Sequence, residues 1–278
     1  MDKAIIFGIY NFISFHACKT LLNKGVEVIG IQIDESDKSS FFEEKRLEVG
    51  RNANFSERSL SEWENRREEE TAQTTLILSI YDLYMLNKET ILQKEKIAGA
   101  IIQFMRENKN NTNVAFILPI QMLKAEQEKT IGAFLEQVKG CGKNTQMFYL
   151  PAIYGPWQPP VFLFQQAILA TFQKSEILKD EKEWTGDILY VDDAIETLIK
   201  TVETGNPGGF MLESGKKDYW AECAAYLQID EKIVLVNRNE LLQVGNQIDI
   251  VSVKNITPIA DSILKQMEHV QRLYPNGK

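Results

Sequence analysis

The sequence is poor in the residues that build disulfide frameworks and metal sites. Its 278 residues include three cysteines and two histidines. The cysteines are odd in number, far apart and without metal-ligand spacing, which is typical of a protein from a reducing compartment. Two histidines are too few to predict a histidine-based metal site. These five residues are Cys18, Cys141, Cys223, His16 and His269.

Positive charge and long apolar runs are also scarce. Lysine and arginine number 31 against 39 acidic residues, so the formal net charge is −8, and such a chain repels phosphate backbones and anionic membranes. No apolar stretch reaches the roughly 18 residues that a membrane-spanning helix needs. The first residues lack a signal-peptide pattern. We therefore expect a cytoplasmic protein that binds neither nucleic acid nor membrane.

The first half of the sequence alternates between β-rich and amphipathic segments. Residues 4–8 form an apolar run that predicts a buried parallel strand, 12–24 predict a helix, and 26–34 a second strand. A strand, a helix and a parallel strand within about 30 residues make a βαβ unit. Further strands are predicted at 74–80, 114–118 and 146–150, and further helices at 95–107 and 126–138. This pattern predicts an α/β fold, a Rossmann-type doubly wound parallel sheet.

The second half is less regular. Prolines from residue 156 onward and the turn at 205–209 interrupt the alternation, and short strands are predicted at 233–236 and 248–253. We expect a Rossmann core over residues 1–155. Residues 156–278 are predicted to form a mixed region, which holds a smaller C-terminal substrate lobe and returning core elements.

Four short motifs follow one another along the chain. The first is Gly8-Ile-Tyr-Asn11-Phe12-Ile13-Ser14-Phe-His16, which leads to a strand ending at Asp34; the others are Tyr154-Gly155-Pro156, Val191-Asp192-Asp193, and the segment 209–216 with the helix after it. In this order, over roughly residues 3–230, they resemble the extended short-chain dehydrogenases/reductases of the NAD-dependent epimerase/dehydratase family.

The resemblance implies a dinucleotide site at the first turn. In this fold the pyrophosphate lies on the N-terminus of the first helix, where free N–H groups and the helix dipole favour anions. Asp34 would accept hydrogen bonds from the adenosine ribose and repel a 2′-phosphate, which favours NAD over NADP. The expected cofactor-binding residues are Gly8, Asn11, Phe12, Ile13, Asp34, Lys124 and Tyr154.

The first motif departs from the family pattern at two positions. Asn11 and Ser14 stand where the family has its second and third glycines. Asparagine tolerates positive φ, but its side chain intrudes where a phosphate approaches. Ser14 is small enough to keep the helix packed on the strand. The alternative interpretation is an ordinary strand–helix turn that has lost its ligand.

The residues that carry the family's chemistry are largely absent. The resemblance implies a Tyr-x-x-x-Lys pair with a Ser or Thr that polarises the reacting oxygen. Lys124 and Glu128 match the family's spacing on the helix after the fifth strand, which places Ile120 at the tyrosine position. Isoleucine cannot transfer a proton, and no Ser or Thr lies between Asn113 and Lys129.

Other residues are candidates for a relocated or a structural role. Tyr84 has a lysine four positions on and follows the fourth strand, where ligands bind in such folds, so Tyr84 and Lys124 are the candidate catalytic residues. We expect helix packing from His16 and helix capping from Asp192 and Asp193. For Tyr154, a structural aromatic beside a proline turn is the alternative to cofactor binding.

Three functions remain open at this point. The first is a catalytically impaired Rossmann protein that binds a dinucleotide, a nucleotide sugar or a protein, as a sensor or scaffold. The second is an active NAD-dependent oxidoreductase or epimerase that acts on a nucleotide sugar or a similar hydroxy compound. The third is an interaction protein with a closed pocket. The resemblance also implies a homodimer that pairs through residues 121–138.

Overall fold

A computed structural model describes most of the chain. It covers residues 1–33, 41–65, 73–109, 112–124, 128–142, 144–173, 177, 182–230, 242 and 244–275. Over these residues the chain forms a main parallel sheet with helices on both faces, and the predicted Rossmann-type, doubly wound α/β fold is confirmed.

Eight strands form the main sheet. Their order is β10-β9-β6-β5-β4-β1-β2-β3, all neighbours are parallel, and β7 and β8 form a separate parallel pair. The strands are β1 (Lys3–Phe7), β2 (Glu27–Gln32), β3 (Phe55–Ser59), β4 (Thr74–Ser79), β5 (Thr112–Pro119), β6 (Asn144–Leu150), β7 (Ala152–Tyr154), β8 (Ile188–Tyr190), β9 (Gly208–Glu213) and β10 (Ile248–Ser252).

The helices cover both faces of this sheet. They are α1 (Phe12–Asn23), α2 (Phe42–Val49), α3 (Leu60–Asn65), α4 (Ile80–Met85), α5 (Glu95–Glu107), α6 (Lys129–Val138), α7 (Leu163–Gln173), α8 (Val191–Glu203), α9 (Tyr219–Tyr226) and α10 (Ile259–Leu273). Short 3₁₀ helices span Glu89–Gln93 and Ile120–Leu123. No helix in the described part of the chain is long and apolar enough to cross a membrane.

The apolar runs of the central strands follow from burial on both faces. In β1, Ala4 and Ile6 point into one core cluster, which also holds residues of α1 and α8, whereas Ile5 and Phe7 point into another, shared with α5 and α6. Because both faces are covered, successive side chains are all apolar instead of alternating with polar ones. The order of the strands reverses between β1 and β4, and this switch point is where ligands bind in open α/β sheets.

Several predicted boundaries need correction. The helix predicted from residue 126 begins at Lys129, because the Glu128 side chain caps it by accepting the Ile131 N–H. Residues 209–213 of the segment 209–216 form part of β9 in the main sheet, between β6 and β10. The strand predicted at 248–253 is confirmed as β10. The strand predicted at 233–236 lies outside the described residues.

The charged region before β4 contains a strand that the sequence did not predict. β3 spans Phe55–Ser59 and pairs with β2 at the edge of the sheet. All five of its side chains are half-buried, so it lacks the continuous apolar run that identified the central strands.

Candidate functional site

A glycine turn joins β1 to α1 at the switch point. Gly8 has φ +66°, and the Asn11 N–H donates to the Gly8 carbonyl at 2.8 Å. A Cβ on Gly8 would lie 2.6 Å from Asn11 Nδ2, so the turn requires glycine there. Asn11 itself has φ −69° and needs no tolerance of positive φ. The Ser14 hydroxyl donates to the Phe7 carbonyl at 3.2 Å, so this small residue does keep α1 packed on β1, as predicted.

The N-terminus of α1 holds a carboxylate from this chain. The Ile13 N–H donates to both oxygens of Asp82 at 3.0 Å, and the Ser14 N–H donates to one of them at 3.2 Å. Asp82 lies in the first turn of α4, where its side chain is 1% exposed. Burial raises the pKa of Asp82 to about 6, although hydrogen bonds and the charge of Lys45 act against the rise. The carboxylate is therefore ionised at neutral pH and occupies the position that favours an anion.

A buried lysine accompanies this carboxylate. Lys45 of α2 is 4% exposed, and its Nζ donates to the Tyr10 carbonyl at 2.7 Å. The same Nζ lies 5.7 Å from the centroid of the Phe15 ring and 5.6 Å from that of Trp157. Burial lowers the pKa of Lys45 to about 8, against the opposing charge of Asp82. At neutral pH the site thus holds one buried cation and one buried anion.

The lowered pKa of Lys45 predicts a rise in stability at alkaline pH. Between pH 8 and about 10.4 the unfolded chain binds more protons at this lysine than the folded chain does, so the free energy of unfolding increases with pH. Other groups titrate in the same range, so the wild type is compared with Lys45→Met by urea unfolding at pH 8, 9 and 10. As the pH rises, the free energy of unfolding of the wild type should increase relative to that of Lys45→Met. If the free energies of unfolding of the two proteins changed in parallel with pH, the lowered pKa of Lys45 would be contradicted.

A cavity of about 270 Å³ opens beside the glycine turn. It lies where six segments meet: the β1–α1 turn, α2, the residues after α4, the proline turn after β7, the start of α7, and the end of α10. Aromatic rings and polar side chains form its wall, among them Tyr10, Asn11, Lys45, Trp157, His269 and Tyr274. A concave, largely apolar site with a few polar groups, at the switch point of the sheet, is typical of a ligand pocket.

His269 lies in the wall of this cavity and holds a buried ring nitrogen without a partner in the described part of the chain. Its side chain is 7% exposed, and its Nδ1 accepts the Trp157 N–H at 3.4 Å. Burial lowers the pKa of His269 to about 3, so the ring is neutral and Nε2 carries its proton. Nε2 has no hydrogen-bond partner among the described residues.

His16 connects three of the sequence motifs. It is 2% exposed, its Nε2 donates to the Pro156 carbonyl at 2.8 Å, and its Nδ1 lies 2.8 Å from Asp192. The predicted packing role of His16 is confirmed.

The predicted capping role of Asp192 and Asp193 is wrong. The N-cap of α8 is Tyr190, and it makes no side-chain capping bond. Asp192 pairs instead with His16 on α1. Asp193 accepts the N–H and the hydroxyl of Thr257 at 2.7 and 2.8 Å. Both carboxylates therefore join α8 to distant parts of the chain.

The helix predicted to carry Lys124 does not form at that residue. A 3₁₀ helix follows β5 directly, and Lys124 ends it in extended conformation, before α6 begins at Lys129. The Lys-x-x-x-Glu spacing to Glu128 therefore does not lie on one helix. Partial burial lowers the pKa of Lys124. Ile120, at the family's tyrosine position, is 2% exposed and belongs to the core.

The two candidate tyrosines lie in different surroundings. Tyr84 is on α4, and the Nζ of Lys182 lies 4.5 Å from its ring centroid and donates to its carbonyl at 2.9 Å. Tyr154 is fully buried, and its hydroxyl is 2.7 Å from the Ser262 hydroxyl. This burial fits the structural alternative, and a cofactor-binding role of Tyr154 stays a prediction. Asp34 lies outside the described residues.

The structure brings together residues that the motifs did not identify. Asp82, Lys45 and His269 come from α4, α2 and α10 and meet around the glycine turn. The sequence signal for this site was Asp82, an acidic residue just after the buried strand β4, at the ligand-binding edge of the sheet. No group of three or more His, Cys, Asp or Glu residues suited to a metal ion occurs in the described ranges.

Comparison with known proteins identifies the fold. No protein-family model and no curated protein sequence matches the chain. UDP-glucuronic acid 4-epimerase from Bacillus cereus, solved with UDP-glucuronic acid and NAD, has a TM-score of 0.68 at 12% identity, over 98% of this chain and 100% of that one. dTDP-glucose 4,6-dehydratase from Bacillus anthracis, solved with NAD, has a TM-score of 0.66 at 10% identity over 100% of both chains.

A third solved structure agrees with these two. UDP-glucose 4-epimerase from Thermotoga maritima, solved with UDP-glucose, has a TM-score of 0.61 at 14% identity, over 97% of this chain and 99% of that one. At such identities the likeness is one of fold. The chain therefore has the fold of the nucleotide-sugar epimerases and dehydratases, and the resemblance predicted from the four motifs is confirmed at that level.

Proposed function

We propose that this chain is a non-catalytic protein on the epimerase/dehydratase fold, which binds a nucleotide-type ligand in the cavity beside the glycine turn. One observation carries the proposal. The position that needs a proton-transferring tyrosine holds Ile120, which is 2% exposed, and residues 113–128 contain no Ser, Thr or Tyr. Without such a group, the chain has no means at this position to take a proton from a substrate hydroxyl.

The cavity supports ligand binding even though the chemistry is missing. Its aromatic side chains suit a planar heteroaromatic ring, and the Nε2–H of His269 suits an acceptor on that ring. NAD is the cofactor that the fold favours, since the Bacillus epimerase and dehydratase are both solved with it. A nucleotide sugar is the second ligand class, because the same epimerase also holds UDP-glucuronic acid.

The residues at the N-terminus of α1 do not fit a pyrophosphate in the conformation described. The N–H groups of Ile13 and Ser14 already donate to Asp82, whose buried carboxylate leaves no room at those donors. A dinucleotide would have to displace this side chain or place its phosphates elsewhere. Homodimerisation through residues 121–138 and a cytoplasmic location stay predictions.

Calorimetric titration of the wild type tests the proposal. The probes are NAD, NADH, UDP-glucose and UDP-glucuronic acid, with thermal shift as a cross-check, since a ligand that binds only the folded state must stabilise it. We expect saturable binding of at least one probe. His269→Phe removes the Nε2–H donor but keeps an aromatic ring, and it should weaken that binding by about tenfold, the equivalent of one lost hydrogen bond.

The control variant is Tyr226→Phe, which removes a hydroxyl from a tyrosine that is 54% exposed on α9. It should leave the affinity unchanged. Absence of binding for all four probes at millimolar concentration would overturn the proposed ligand class. Equal binding by the wild type and His269→Phe would place the ligand outside this cavity.

A further inference from the structure

We propose that Asp82 is an internal competitor for the phosphates of a ligand at the N-terminus of α1, and that it selects for ligands that place no phosphate there. This inference deepens the proposed function, because it names the residue that decides which nucleotide-type ligands the cavity accepts. It depends on that function only for the identity of the ligand. The competition itself can be measured with inorganic pyrophosphate.

Asp82 occupies backbone donors that a phosphate at the N-terminus of α1 would need. α1 is a 12-residue helix, and its first N–H groups have no partner within the helix. Asp82 accepts three hydrogen bonds from Ile13 and Ser14. A phosphate at the same place would need those donors, so the two anions cannot bind there together.

Asp82 is held firmly in place by its surroundings. Its own N–H donates to the Ser79 hydroxyl at 3.3 Å, which caps the short helix α4. The side chain is 1% exposed, and the buried cation Lys45 stabilises its charge. An incoming diphosphate would therefore have to break these hydrogen bonds and separate a buried pair of charges.

The other polar groups at the cavity wall do not favour a second anion. The Lys45 ammonium is already bonded to the Tyr10 carbonyl, and it balances Asp82 rather than a second anion. His269 offers a neutral N–H, and the Asn11 side chain makes no capping bond to α1. These groups suit the acceptors and donors of an uncharged ring system such as a nucleoside.

The experiment measures the affinities of adenosine, ADP and inorganic pyrophosphate for the wild type, Asp82→Ala and Asp82→Asn. The first variant opens the space at α1, and the second removes the charge together with one of the two acceptor oxygens. We expect the wild type to bind ADP no more tightly than adenosine and to show no stabilisation by millimolar pyrophosphate. Both variants should bind ADP at least tenfold more tightly than the wild type, with adenosine affinity changed by less than threefold.

Asp187→Asn is the matched control. Asp187 is also a buried carboxylate that accepts backbone N–H groups, from Ile188 at 2.8 Å and from Ser214 at 2.6 Å. Its substitution should cost stability without any gain in ADP or pyrophosphate binding. An equal gain in this variant would mean that loosening of the fold, rather than the competition at α1, explains the effect, and would overturn the inference.

The outcomes separate this inference from the proposed function. If pyrophosphate stabilises the Asp82 variants but not the wild type, and no nucleoside or nucleotide binds, the competition stands and the proposed ligand class fails. If neither Asp82 variant folds, the affinities of the wild type for adenosine, ADP and pyrophosphate decide whether Asp82 excludes a phosphate. Tenfold tighter binding of ADP than of adenosine by the wild type would overturn the role of Asp82.

Discussion

Asp82→Asn is expected to lower the free energy of unfolding by about 1–3 kcal/mol, the range for a buried hydrogen-bonding group left without its partner. The amide keeps one acceptor for Ile13 and Ser14, but it loses the charge that stabilises buried Lys45. It also turns an NH₂ group toward donors, so at least one buried N–H group loses its acceptor. Urea unfolding at pH 7 measures the change.

A double-mutant cycle separates the charge pair from the helix cap. Lys45→Met removes the cation while keeping an apolar stem beside the rings of Phe15 and Trp157. If Asp82 and Lys45 are energetically coupled, the double variant should be more stable than the sum of the two single losses predicts. Strict additivity would show that Asp82 acts only through the α1 N–H groups. A loss below about 0.5 kcal/mol in Asp82→Asn, typical of surface substitutions, would contradict the description of a buried, fully bonded carboxylate.

Gly155→Ala is expected to destabilise the protein by about 4 kcal/mol, from backbone strain and overpacking together. Gly155 has φ +144°, which L side chains rarely adopt, and a Cβ there would lie 2.5 Å from Val191 Cγ1. The neighbouring ring of Tyr190 is 3.1 Å away and fully enclosed in the core, so it has little room to move. The Tyr-Gly-Pro motif is thus required here for close packing against the start of α8.

The control for this variant is the same substitution at Gly99, in the exposed face of α5. A Cβ there meets nothing within 4 Å, so Gly99→Ala should be neutral or stabilising by up to about 1 kcal/mol, the difference in helix propensity. Thermal unfolding of both variants measures the contrast. Equal effects at the two positions would contradict the packing assigned to Gly155.

The sequence was sufficient to predict the sheet because its central strands are buried on both faces. Runs such as 4–8 and 114–118 are apolar without interruption, which is typical of parallel strands buried on both faces. β3 was missed because an edge strand with half-buried side chains has no such run. The helix at Lys124 was predicted by transfer of the family's spacing, and it fails because β5 passes directly into a 3₁₀ helix.

The site itself could be predicted only in part. The glycine turn and the departure at Asn11 were visible, since they belong to one short segment. The hydrogen bonds from Ile13 to Asp82 span 69 residues of sequence, and those from His16 to Asp192 span 176. Contacts at such separations leave no local pattern in a single sequence. Consequently the motifs indicated where a ligand belongs in the fold, but not that a carboxylate of the same chain occupies the anion position.

The most direct test of the account is a search for turnover. The wild type would be incubated with NAD and either UDP-glucose or UDP-glucuronic acid, and the sugar followed by NMR spectroscopy. We predict no conversion above a protein-free control, even where calorimetry detects binding. Epimerised or dehydrated sugar formed at rates typical of enzymes, on the order of 1 s⁻¹ or more, and lost in Tyr84→Phe or Lys124→Ala, would contradict the central claim that this cleft binds without catalysis.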